Sequence, residues 1–106
     1  MHEQLQTILG ELRSRLEALY DGQLIQLVLY GSQARGDATP DSDIDVLAVL
    51  GGPVDPGVEI TRTGPLTASL SLQHNVVISC AFIAAERFHN ERSPFLINVR
   101  REGVLI

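Results

Sequence analysis

The stretch Leu27–Leu50, LVLYGSQARGDATPDSDIDVLAVL, decides the fold. Its first residues belong to a short apolar run, Leu24–Tyr30, bracketed by Gly22 and Gly31. A run that short, with glycine at both ends, predicts a buried strand rather than a helix. Gly31 lets the backbone approach a bulky anion, because no Cβ stands in the way. Ser32 adds a hydroxyl and an N–H at the same place. Gln33, Ala34 and Arg35 start a helical turn whose free N–H groups face that anion, and Gly36 ends it. Asp37 to Ser42 is turn chemistry, with Asp, Thr, Pro and Ser in six residues.

A second strand is predicted to start at Asp43. Strand side chains alternate between faces, so Asp43 and Asp45 share one side while Ile44 and Val46 take the core side. Two carboxylates side by side repel and tolerate full ionisation only beside a cation. The hard ion Mg²⁺ suits them, since it takes one or two carboxylates together with phosphate oxygens. A phosphate cradle and a cation seat on adjacent strands point to phosphoryl or nucleotidyl transfer, in which two ions roughly 3.5–4 Å apart can clamp the attacking and leaving oxygens.

Gly31-Ser32, ten residues, then Asp43-x-Asp45 resembles the signature of the DNA polymerase β-like nucleotidyltransferase superfamily. The longer string GSQARGDATPDSDIDV is similar to its smallest branch, the minimal nucleotidyltransferases, many of which are antitoxins beside a helical HEPN toxin. The similarity is strong over Leu24–Leu50 and weaker over the C-terminal SPFLINVRREGVLI. It implies an α/β fold, a small mixed sheet of three or four strands flanked by helices, mainly on one face. The implied activity is transfer of AMP from ATP to a hydroxyl, with pyrophosphate released. The implied acceptor is a tyrosine of the HEPN partner, with which the chain would form a hetero-oligomer. In that scheme Asp43 and Asp45 hold Mg²⁺, and Gly31 and Ser32 cradle the β- and γ-phosphates. Arg35 is either a phosphate contact or an ion-pair partner of Asp37. Ser42 caps or orients the aspartate strand.

One departure stands out. Many active members carry a third carboxylate on the next strand, but no Asp or Glu occurs here between Glu59 and Glu86. Ser79 occupies the corresponding face. Nucleotide and metal binding are therefore better supported than turnover. A weakened module that restrains its partner by contact alone is an alternative reading. So is a small-molecule, aminoglycoside-type transferase, although such enzymes usually need a second domain.

The rest of the chain narrows the classes. At 106 residues it reads as one domain over 1–106, with 44% hydrophobic and 20% charged residues. The net charge is −5, with eight basic residues, all arginine. An acidic chain without lysine is poorly suited to long nucleic acid, and it lacks the lysine of a P-loop. The single cysteine, Cys80, reads as a small core residue. Neither a membrane span nor a leader pattern is evident, so a cytoplasmic location is expected.

Met1–Tyr20 predicts an amphipathic helix with Leu5, Ile8, Leu9, Leu12, Leu16 and Leu19 on one stripe, which packs on the sheet or meets a partner. Gly51–Gly57 reads as a surface loop. Gly64-Pro65 is expected to break any long helix, so the next helix would start near Pro65. Arg62 is read as a solvated charge rather than a nucleotide contact, and His74 as structural or exposed rather than a substitute base. Asn75–Ile83 predicts the third strand. Short helices follow at 84–90 and 93–101, the latter with Ser93 as N-cap and Pro94 at the first position, and Val104–Ile106 is an edge strand or a docking segment.

Overall fold

The computed structural model describes residues 3–106. The elements run α1 (Glu3–Tyr20), β1 (Leu24–Tyr30), α2 (Gly31–Arg35), β2 (Ile44–Leu50), α3 (Pro56–His74), β3 (Ile78–Ala84), α4 (Ala85–Asn90), α5 (Pro94–Glu102) and β4 (Val104–Leu105). The four strands form one sheet in the order β3-β2-β1-β4. β1 pairs antiparallel with β2 and β4, whereas β2 and β3 are parallel. The sheet is therefore mixed, as expected, and α3 provides the crossover that a parallel pair requires.

Alternation along the strands separates two cores. Leu27, Leu29, Ile44, Val46, Ala48, Ile78 and Phe82 face α1 and Leu70 of α3. Val28, Leu47, Val49 and Ile83 face Phe88 of α4 and Leu96 and Val99 of α5. The two long helices share one face, and the shorter pair covers part of the other. In α1 the buried stripe ends on Tyr20 rather than Leu19, which is 41% exposed. From Leu16 the next residue on the stripe is four positions on, not three, and Tyr20 has a polar end to satisfy: its hydroxyl donates to Glu59 at 2.7 Å. The first two positions of the expected helix lie outside the described residues. Among the described residues, no helix is long and apolar enough to cross a membrane.

Around α3, three features differ from expectation. The loop after β2 ends early, because Asp55 caps α3 by accepting from the N–H groups of Gly57 and Val58 at 3.1 and 3.4 Å. Gly64-Pro65 does not break α3, which runs through it. Proline removes one N–H and crowds the preceding turn, but the carbonyl that loses its partner belongs to exposed Thr61, and the buried side chains of Thr63 and Leu70 hold the helix on either side. Asn75 adopts the left-handed conformation at φ +54° and closes α3 by donating to Ser71 O, so the third strand starts at Ile78 rather than Asn75.

The C-terminal segment behaves as expected. Ser93 caps α5 by accepting from Leu96 N–H at 3.3 Å. Arg100 donates to Phe88 O and, at 2.6 Å, to Glu91 O, which ties α5 to α4. α5 then turns at once into β4. A Cβ on Gly103 would lie 2.4 Å from Val99 O and 2.6 Å from Val28 Cγ1, so only glycine fits this turn against β1.

Since Pro65 sits exposed inside α3 and takes one N–H from the helix, Pro65→Ala should raise unfolding stability by about 1–2 kcal/mol. The check is a denaturant titration in which the midpoint rises at unchanged slope.

Candidate active site

β1 and β2 bring the two halves of the motif together. Their register places Tyr30 opposite Asp45. The next residue, Gly31, begins α2 with φ +72°, and a Cβ built on it would lie 2.5 Å from Asp45 Oδ2. The glycine turn is thus pressed against the carboxylate, which a side chain would forbid on both steric and conformational grounds. α2 is a single helical turn closed by Gly36, whose N–H donates to Ser32 O at 3.0 Å. Ser32 stands in its first turn, next to the acidic strand.

The loop between the two halves is tied off just before the aspartates. Ser42 Oγ accepts from Thr39 N–H at 2.9 Å, and Ser42 N–H donates to Thr39 O at 3.0 Å. These two bonds close the loop one residue before Asp43. Asp43 lies one residue before β2, not within it.

Asp45 carries the electrostatic signature of the site. Burial pushes its carboxyl above the usual range, the Asp43 charge adds to this, and Arg35 partly offsets both. A pair of acids in this state is short of positive charge. Both neighbouring strands present neutral groups in register with Asp45: Tyr30 on β1 and exposed Ser79 on β3. Burial, with the Asp45 charge second, raises the phenol of Tyr30, so it stays protonated. No cluster of three or more His, Cys, Asp or Glu exists among the described residues. The donor set fits a hard divalent cation that completes its shell with phosphate and water oxygens.

Arg35 is held as an ion pair. Its Nε lies 3.3 Å from Asp37 Oδ2 and its Nη1 3.6 Å from Glu102 Oε2 of α5. The alternative reading of Arg35 as an Asp37 partner therefore describes this state. Glu102 has no local signal in the sequence, as it reaches the site only because α5 folds back over β1. Parity with Val28 puts Tyr30 on this face, although in the sequence it marks only the end of a strand. Arg62 and His74 lie elsewhere: Arg62 pairs with Glu59 at 3.4 Å, and His74 with Glu11 at 3.0 Å, both on the α1–α3 side. Cys80 packs against the core on that side, where burial pushes its thiol up to about 12.

Two cavities flank the motif. One of about 570 Å³ lies between the loop and the α1–α3 side, lined by Ile8, Gln33, Thr39, Ser42, Ile44 and His74 among others. Ile44 faces away from Asp45, so this cavity is on the wrong side of β2 for the acid pair. The other, about 260 Å³, opens at Tyr30 and Gly31.

A nucleotidyltransferase domain model matches residues 7–102. The chain belongs to the nucleotidyltransferase family. A Methanocaldococcus jannaschii protein named "Putative protein adenylyltransferase MJ0604" is 38% identical over 95 residues, covering 88% of each chain. Among solved structures, a toxin–antitoxin with AMP-PNP superposes with a TM-score of 0.61 at 16% identity, over 88% of this chain and 68% of that one. A mutant of the toxin–antitoxin MntA-HpeT gives 0.59 at 13% identity, over 88% and 67%. These structures share the polymerase β-like fold with this nucleotidyltransferase, and the expected nucleotidyltransferase membership is borne out.

Two outcomes follow from the geometry. Gly31→Ala should weaken nucleoside triphosphate binding by about tenfold or more in calorimetry. Gly36→Ala, at φ +82° with open space around it, should lose only about 1–2 kcal/mol of stability to left-handed strain. Because the folded pKa of Asp45 is raised, its ionised form costs stability at neutral pH, and the cost fades as pH falls through that raised value. Asp45→Asn should therefore melt higher than the parent at pH 7, with the difference closing on acidification in paired thermal scans.

Proposed function

We propose that this nucleotidyltransferase moves AMP from ATP onto a hydroxyl of a partner protein, a tyrosine of a HEPN-type toxin, and so acts in the cytoplasm as that toxin's antitoxin. The observation that carries the reading is the contact of Gly31 with Asp45: a backbone cradle suited to phosphate stands directly against an acid pair whose charge Arg35 only partly offsets. The 38% identical relative is named as a protein adenylyltransferase, and a structural neighbour holds an ATP analogue beside a toxin, which supports the choice of nucleotide and of partner.

In this reading the N–H groups of Gly31 and Ser32 receive the β- and γ-phosphates. Asp43 and Asp45 hold Mg²⁺, which supplies charge neutralisation at the phosphates when bound. Ser42, through Thr39, keeps Asp43 at the mouth of the loop, and Asp37 holds Arg35 beside the cradle. The acceptor oxygen bonds to the α-phosphorus as the bond to the bridging oxygen breaks. Pyrophosphate leaves with that oxygen, and the hydroxyl proton passes to water. Ser79, not an acid, stands in register with Asp45, so this chain lends the acceptor little help in losing its proton. That single feature favours the second reading, in which the protein binds nucleotide yet restrains its partner by contact alone.

Intact mass of the purified partner separates the two. After incubation with the protein, ATP and Mg²⁺, the partner should gain increments of one AMP. Asp43→Asn, Asp45→Asn or EDTA should abolish them. Stable co-purification without any increment would instead establish restraint by contact.

A further inference from the structure

The groove of about 260 Å³ between α2 and α5 begins at the glycine of the phosphate cradle and is lined by Tyr30, Gly31, Arg35, Phe95, Asn98 and Glu102. Its size falls below the ~300–1,000 Å³ of pockets that hold a drug-sized ligand. It suits a ring system, not a whole nucleotide.

Its chemistry narrows the occupant. Arg35 is already paired with Asp37 and Glu102, so the groove carries no spare positive charge for a phosphate, and the Glu102 carboxylate disfavours an anion. A neutral group fits. Phe95 remains 46% exposed, although its helix neighbours Leu96 and Val99 are buried. Its ring meets Tyr30 edge-on at 5.4 Å between centroids and 89° between planes, a contact that fixes the ring without covering it. One turn along α5, Asn98 is also exposed. Arg101 Nη2 donates to its Oδ1 at 3.0 Å, which leaves the amide NH₂ as a donor. A flat ring with acceptor nitrogens matches an aromatic face and an amide donor placed a turn apart.

We propose that this groove seats the adenine of ATP, with the base stacked on Phe95 and a ring nitrogen accepting from the Asn98 amide. The inference rests on reading the Gly31–Asp45 corner as the triphosphate site, and it adds the specificity-determining residues that the motif does not contain. α5 thereby serves as the base-reading wall of a site whose phosphate and metal groups all come from residues 31–45.

Calorimetry with Mg²⁺ tests it, with ATP and inorganic tripolyphosphate titrated into the full chain and into Phe95→Leu and Asn98→Ala. Phe95→Leu keeps the apolar contact with Tyr30, and Asn98 is exposed, so at least one variant folds. The parent should bind ATP about tenfold or more tightly than tripolyphosphate, as expected for one stacked base. Each variant should cut that ratio severalfold, tripolyphosphate serving as the reference within each protein. Equal affinity for the two ligands in the parent, or a ratio that neither variant moves, overturns the base seat alone. Variants that leave the ratio intact yet abolish partner modification would assign the groove to the acceptor and also overturn it. If neither ligand binds the parent, the triphosphate reading falls with it.

Discussion

The close approach of Gly31 to the Asp45 carboxylate is the constraint on which the molecule turns. It exists because β1 and β2 are antiparallel in a register that sets Tyr30 across from Asp45. A slip of one residue would carry Asp45 to the helix-packed face and bring Val46 out to solvent. That register is held by the alternation itself: Val46 and Ala48 are wholly buried on one side, and Leu47 and Val49 on the other. A one-residue slip would set each of these packed side chains against the wrong core and carry Asp45 among the α1-side residues. The apolar residues of β2 thus fix the position of an acid that contributes nothing to the core.

The same corner carries an electrostatic cost that the fold does not need. Two acids stand together, one partly withdrawn from water, with Arg35 the cation that reaches them. Arg35 in turn is shared between Asp37 and Glu102 at distances and exposures where ion pairs add little. Folding alone would not select such an arrangement. A bound cation and triphosphate would relieve it, which is why an electrostatic deficit in the free protein is informative about the ligand.

The chain builds its site from both ends. α5 and β4 fold back over β1, and the tight turn at Gly103 lets them approach. This return brings Phe95, Asn98 and Glu102 beside Gly31. The parallel pairing of β3 with β2 sets Ser79 beside Asp45 on the other flank. The acid pair therefore has a groove on the β1 side and an open, uncharged neighbour on the β3 side. A site of this form suits a nucleotide lying along one flank while another molecule approaches from the other.

By itself, the sequence determined the local parts. Short-range patterns encode them: the glycine-bracketed run of β1, the serine turn, the alternating Asp43-Ile44-Asp45-Val46, and the Ser93-Pro94 start of α5. Each depends on the conformational preference of a few adjacent residues. Where only one residue's preference was considered, the reading failed. Pro65 did not end α3, because its neighbours Thr63 and Leu70 were anchored in the core. Asn75 closed that helix instead of opening a strand. Tertiary structure alone decided which distant residues meet. The pairing of Arg35 with Glu102, the contact of Tyr30 with Phe95 and the hydrogen bond from Tyr20 to Glu59 join positions whose spacing along the chain carries no trace of their proximity. Sheet register and the packing of α5 set those contacts, and both are properties of the whole assembled core rather than of any segment of it.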